Sequence, residues 1–402
     1  MTTRVSSAGL HFRSLNALMD AHARLAKTQE QVATGKRILT PADDPVGATR
    51  IQDLTRQIAA SDQYLRNNDV ARARLSLEEQ TLADVGTAIG RIRELVVQAS
   101  NDTVDYSSRQ MIRIEIEGRV QELIDLGNRK DGQGDYLFAG LATLTQPFAR
   151  VAGAVQYFGD QGTRMQQVSE TQRVVDGDSG FEVFGRIAEG NGAFVTSASA
   201  ANTGSGSVST GSVIDRSVWP GGTFRVQFTS STSWQVVDSA VPTPNVVATG
   251  PYASDGAITF NGVSVTVSGA PAAGDEFVVR ESASTDLFSQ LDALVATLRI
   301  NTEQPADKAQ YRTQLDGSLA QLDRALDHML EVRAGVGVRL STLDTARSAQ
   351  EDGNLDLQQL VSDLRDIDYA EAASRLSLQY TGLQAAQKSM ANIAQLGLFD
   401  YL

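Results

Sequence analysis

A chain of 402 residues is long enough for two or three domains, because single hydrophobic cores stop growing well below that length. Its 41 % hydrophobic and only 6 % aromatic residues suit long helices built on Leu, Ile, Val and Ala. A net charge of −13 argues against a nucleic-acid partner, since an acidic body gains nothing from counterion release at phosphates, and the absence of cysteine excludes disulfides, thiol nucleophiles and thiolate metal sites.

Residues 1–10 carry no apolar segment of signal-peptide length, and no uninterrupted apolar run is long enough for membrane insertion. The first pattern is a seam. Leu18, Leu25 and Val32 fall seven apart, with Leu15, His22 and Gln29 interleaved, on an otherwise polar helix. Thr40-Pro41-Ala42-Asp43-Asp44-Pro45 then ends this tail, because two prolines so close do not continue a helix. Leu75, Leu82, Ile89 and Val96 repeat at seven with Val85, Ile92 and Ala99 between them, and a second helix over about 107–130 carries Ile112, Ile116, Val120 and Leu123 on one face. A small β region is expected over 136–184, around Tyr157-Phe158-Gly159-Asp160.

Residues 187–283 differ in kind, with ten charged side chains and no lysine. Ala200 to Ser212 is rich in Gly, Ser and Thr and reads as a loop or edge. Phe224, Val226 and Phe228 alternate, Ser230 to Ser233 turns, and Trp234 to Val237 follows. Asn261-Gly262 sits between Ile258/Phe260 and Val263/Val265/Val267, a strong short-range signal for a hairpin. Helical spacing then resumes at Tyr311, Leu315, Leu319, Leu322, Leu326 and Met329, in a helix that continues, with irregularity at Gly335 and Gly337, to about 350. At the far end Leu376, Leu383 and Met390 form a second seam, with Tyr380, Gln387 and Ala394 interleaved.

Each terminal seam spans about three heptads, too short for a stable helix alone in water. A stripe at helical spacing is usually core. Seams at both extreme ends point instead to packing between molecules, with Leu15, Leu18, Leu25, Val32, Leu376, Tyr380, Leu383 and Met390 as the candidate assembly interface. Charge suggests how the ends meet. Residues 1–40 hold six Lys/Arg against Asp20 and Glu30, while 363–402 hold five Asp/Glu against Arg365, Arg375 and Lys388. Antiparallel pairing would bring Lys36 and Arg37 to the acidic start of the last helix.

A search for catalytic chemistry finds little. The three histidines, His11, His22 and His328, lack metal-pair spacing, and His22 sits in the seam. Lys36 follows Gly35 but lacks the rest of a phosphate loop. Asp131-Gly132-Gln133-Gly134-Asp135 and Asp176-Gly177-Asp178 resemble pieces of calcium loops without the full ladder of ligands, and read as turns. Asp43 and Asp44 read as caps of the helix that follows. No catalytic residue, cofactor or metal ligand is expected, and the β insert, which has no histidine, is a poor place for a hydrolase site.

Arg4-Val5-Ser6-Ser7 and Gln31-Val32-Ala33-Thr34-Gly35-Lys36-Arg37-Ile38-Leu39-Thr40-Pro41-Ala42-Asp43-Asp44-Pro45 resemble the N-terminal signature of the flagellin family. Arg91-Ile92-Arg93-Glu94-Leu95-Val96-Val97-Gln98 is similar to a helical stretch shared with flagellin. The proline-flanked Asp43-Asp44 segment, Gly134-Asp135-Tyr136-Leu137-Phe138-Ala139-Gly140, Leu383-Gln384-Ala385-Ala386-Gln387-Lys388 and Leu396-Gly397-Leu398-Phe399-Asp400-Tyr401-Leu402 resemble the members at the hook–filament junction rather than the filament subunit, flagellin, which is the alternative.

The fold class expected is mainly α with inserted β, an elongated layered molecule. Its parts would be terminal coiled-coil helices (1–42 with 363–402), an α-helical bundle domain with a small β region (43–186 with 284–362), and an antiparallel β outer domain (187–283). The resemblance implies a structural subunit of the bacterial flagellum, extracellular, exported through the flagellar type III channel and required for filament growth. The partners it implies are copies of itself in a ring, the other hook-associated subunit, flagellin, and an export chaperone on the C-terminal helix.

Overall fold

A computed structural model describes residues 7–239 and 245–396, with side chains over 12–239 and 245–392. Of the expected Arg4-Val5-Ser6-Ser7 and Leu396-to-Leu402 motifs, residues 4–6 and 397–402 lie outside the described residues, as do the side chains of His11 and Ala394. The helices are α1 (Ser7–Thr34), α2 (Pro45–Ala99), α3 (Tyr106–Gly127), α4 (Gly180–Phe184), α5 (Leu287–Thr297), α6 (Pro305–Arg365) and α7 (Tyr369–Leu396). Their starts follow from local chemistry. Asp44, Asp105 and Asp286 each accept the amide three residues on (Gly47, Ser108 and Ser289), filling an orphan donor at the helix start, and Pro45 and Pro305 open α2 and α6. One expectation is corrected: α6 runs through Gly335 and Gly337 as continuous helix. Val336, fully buried between them, anchors the turn and offsets the glycines' cost of about 1 kcal/mol each relative to alanine.

The chain parts into two compact units, Met1–Arg66 with Ala346–Leu402 and Asn67–Thr345. In the first, α1 packs along α7. The early part of α2 meets the late part of α6, where Ser61 Oγ donates to Gln350 Oε1 (2.8 Å) and Asn354 Nδ2 to Asp62 Oδ1 (2.7 Å).

In the second unit the heptad of α2 is core: Leu75, Leu82, Ile89 and Val96 are all at 0 % exposure. Ile112, Ile116, Val120 and Leu123 of α3 are buried, as are Tyr311, Leu315, Leu322 and Met329 of α6. Between α3 and α5 lie two hairpins, β1 (Phe148–Val151) with β2 (Ala154–Tyr157) and β3 (Met165–Gln167) with β4 (Arg173–Val175), and the short pair β5 (Ile187–Ala188) with β15 (Ser284–Thr285). Phe148 is the centre of an aromatic cluster with Tyr157, Phe184 and Phe288 at 5.0 to 5.2 Å.

The β insert is two antiparallel sheets on one core. The larger has the order β11 (Asn245–Pro251), β10 (Ser233–Asp238), β9 (Thr223–Ser230), β14 (Glu276–Glu281), β6 (Phe194–Ala198). The smaller has β12 (Ala257–Phe260), β13 (Val263–Ser268) and β7 (Ser207–Val208), with β8 (Ser212–Val213) also on β13. Alternate residues Phe224, Val226 and Phe228 and Val263, Val265 and Val267 all enter the shared core. The expected hairpin at Asn261-Gly262 joins β12 to β13, with φ positive at both residues, as the twist of a two-residue turn demands. A Cβ on Gly262 would run into the carbonyl oxygen of Asp215. Gly262→Ala is therefore expected to cost about 1–3 kcal/mol, read as a lower urea midpoint with unchanged slope.

Candidate assembly surface

The terminal helices leave a joint made by backbone. Gly35 ends α1 in the left-handed conformation (φ +70°), and a Cβ there would stand 2.9 Å from Tyr369 Oη. Beyond it Ile367 N donates to Gly35 O (2.9 Å) and Arg37 N to Arg365 O (2.6 Å), so 35–37 and 365–367 pair antiparallel. The two helices leave this joint side by side, in the antiparallel sense. The expected approach of Lys36 and Arg37 to the start of the last helix is present, but backbone carries it. Arg37 Nη2 donates to the Leu364 carbonyl (2.9 Å), and Asp366, held below the usual carboxylate range, owes that first to Arg365 and Ser362, with Lys36 a lesser cause. The two aspartates before α2 divide their work. Asp44 caps the helix, while Asp43 takes the ammonium of Lys27 at 2.5 Å and the amides of Thr40 and Leu39, which hold its carboxyl far below the ordinary range.

Along the pair, Leu25 and Leu383 are buried (6 % and 5 % exposed). Leu15, Leu18, Val32, Leu376 and Met390 are half-buried, while Tyr380, the remaining candidate residue, is 54 % exposed. The interleaved line differs from the expected one: His22 and Gln29 are exposed, and Ala21, Thr28 and Gln31 occupy the covered side of α1, as Ala372 and Gln379 do on α7. A hydrophobic count passes over small and polar residues, so it misses them. Thr28 is tolerated there because its hydroxyl donates to Arg24 O (3.0 Å), and Gln31 because its amide donates to Arg37 O (2.6 Å). Beyond the covered line the helices present Phe12 (69 %), Met19 (59 %) and Leu378 (72 %) outward.

The contrast with α2 decides how these seams differ. Four leucine-class residues at seven-spacing vanish completely inside the second unit, whereas the same spacing on α1 and α7 leaves most of its apolar side chains partly or wholly uncovered. Each large apolar side chain is stabilised by about 1.5–3 kcal/mol when fully covered, so this pair has much left to gain.

The rest of the described chain offers no competing centre. Among the described residues no group of three His, Asp or Glu could hold a metal. His22 is exposed, and His328 hydrogen-bonds the Glu182 carbonyl (2.8 Å). A cleft of about 580 Å³ beside α5 and α6 is lined mainly by Thr, Ser, Gln and Leu, and its one carboxylate, Glu189, is held by Arg280 at 2.5 Å.

Residues 5–143 match the bacterial flagellin N-terminal helical region, 319–402 the bacterial flagellin C-terminal helical region, and 197–281 the D2-like domain of flagellar hook-associated protein 1. The chain is 28 % identical over 398 residues to flagellar hook-associated protein 3 of Escherichia coli K12, covering 99 % of both. It is 35 % identical to FlgL of Xanthomonas campestris, whose crystal structure superposes with a TM-score of 0.72 over 77 % of this chain and 99 % of that one. The chain belongs to the FlgL family of flagellar hook-associated proteins. Hook-associated protein 3 of Legionella pneumophila is a further FlgL relative, 31 % identical, with a TM-score of 0.75 over 78 % of this chain and 98 % of that one. Flagellins match less of it: phase 1 flagellin of Salmonella naestved is 27 % identical over 146 residues, 36 % of the chain. Its FlgL relatives are structural flagellar proteins, and the expected fold class, mainly α with an inserted antiparallel β domain, is the one this FlgL-family chain has.

Proposed function

We propose that the chain is a non-enzymatic junction subunit of the flagellum that assembles through 1–42 and 363–402, using Leu15, Leu18, Leu25, Val32, Leu376, Tyr380, Leu383 and Met390. The observation that carries this is the incomplete burial of both terminal seams beside the complete burial of the α2 heptad. Copies of the same chain, arranged as a ring, cover what one copy leaves open. The other hook-associated subunit lies on one side of that ring and flagellin on the other, with 43–186 and 284–362 as the helical body and 187–283 as the outer β domain. Helices this marginal stay threadable during type III export, and the C-terminal one suits a chaperone until the chain is outside the cell.

Deleting 363–402 tests the reading. Cells carrying the truncated chain are expected to make hooks without filaments, while circular dichroism of the purified truncation keeps the β signal and a cooperative melt. Filaments of normal length on those cells would overturn it.

A further inference from the structure

The two aspartate-glycine stretches that read as turns in the sequence converge in the second unit on a charged cluster around a buried glutamate. Its centre is Glu78 of α2, 1 % exposed. One turn back on the same helix, Arg74 places Nη1 2.6 Å from Asp131 and donates through Nη2 to the carbonyls of Tyr136 (3.0 Å) and Leu137 (3.1 Å). From the segment before α4, the Asp178 amide donates to Glu78 Oε1 (3.1 Å), while the Asp178 carboxylate is held by Arg339 of α6. Asp176, fully buried, takes Arg164 at 2.8 Å, and Arg164 also reaches Asp135 at 3.7 Å. Three guanidiniums therefore face five carboxylates. Four of the five are aspartates within ion-pair distance of an arginine, and the fifth, Glu78, receives only a backbone amide.

We propose that Glu78 carries a proton in the folded chain, and that losing this proton as the medium turns alkaline loosens the clasp binding α2, the 131–137 loop, the 176–178 segment and α6. An ionised Glu78 would add an unpaired charge at a buried position, 1 % exposed, in a cluster already holding more acid than base, a costly arrangement that protonation avoids. Burial pushes its carboxyl up to about 8, the Asp178 charge adds to the rise, and Arg339 and Arg74 oppose it. Folding thus takes up a proton. The stabilising contribution is complete below the unfolded value of 4.5 and drains away as pH climbs through about 8. The pH outside, rather than a bound partner, would then set how firmly this helical body holds.

The test is the urea midpoint of the full chain and of Glu78→Gln between pH 5 and 9. Between pH 6 and 8 the wild-type folding constant is expected to fall by up to about tenfold per pH unit relative to Glu78→Gln, one proton's worth. Parallel curves would overturn the proposal. Should Glu78→Gln fail to fold, carbon NMR of the glutamate carboxyls in the wild-type chain answers instead. One carboxyl titrating above pH 7 supports the proposal, and all of them titrating in the ordinary acidic range overturns it.

Discussion

Tyr380→Asp and Leu378→Asp are expected to leave the isolated chain as stable as before and yet stop filament growth. Both side chains face solvent in the single chain, at 54 % and 72 % exposure, and an exposed helix substitution normally moves stability by no more than about 0.5 kcal/mol. If another copy covers this face of α7, each aspartate becomes a charge buried without a partner, which costs several kcal/mol per contact and repeats around the ring. Assembly should weaken at least about a hundredfold, and swimming halos in soft agar should shrink to the non-motile size. Leu383→Asp is the contrasting case. Its leucine is 5 % exposed against α1, so it should damage the helix pair inside one chain as well as assembly. Full motility with Tyr380→Asp and Leu378→Asp together would remove this face of α7 from the interface.

Phe277→Ala should have the largest effect on stability alone. Phe277 is at 0 % exposure on β14, which lies between β9 and β6 in the larger sheet, and its ring meets Phe228 edge-on at 5.9 Å. Truncating a phenylalanine at such a place leaves a cavity and costs about 3–5 kcal/mol. The β insert is expected to melt well below the helices, giving two steps in calorimetry. Filaments should still form at temperatures where the insert stays folded, because the proposed interface residues all lie on α1 and α7. A single unchanged transition would contradict the packing described for the two sheets.

The parts of the fold legible in sequence are those where one physical period dominates. The α2 heptad at Leu75, Leu82, Ile89 and Val96 and the alternation of Phe224, Val226 and Phe228 each mark one buried face, and Asn261-Gly262 marks a turn that few other pairs can make. Three features escaped for stated reasons. Val336 carries α6 without irregularity across two glycines that read as an irregular stretch, because propensity is a local term and burial is not. Ala21 and Thr28 line the covered side of α1 in place of His22 and Gln29, because small or internally bonded side chains fit where a large apolar one is not needed. The Glu78 cluster draws residues from positions 74 to 339, and nothing in their spacing predicts that they meet. For the assembly surface, sequence offered the seam positions, while the degree to which a single chain covers them is a property of packing alone.

The backbone joint between 35–37 and 365–367 has a consequence for timing. It ties residues 330 positions apart (Lys36 opposite Asp366), and closing so long a loop in unfolded chain costs on the order of 5 kcal/mol before any contact rewards it. A chain made from its N-terminus can therefore fold its middle early but cannot join its two ends until the last helix has been made. Completeness is thereby checked by topology: a chain cut short anywhere before 365 has no second strand to offer at the joint, and so cannot set its two terminal helices side by side there.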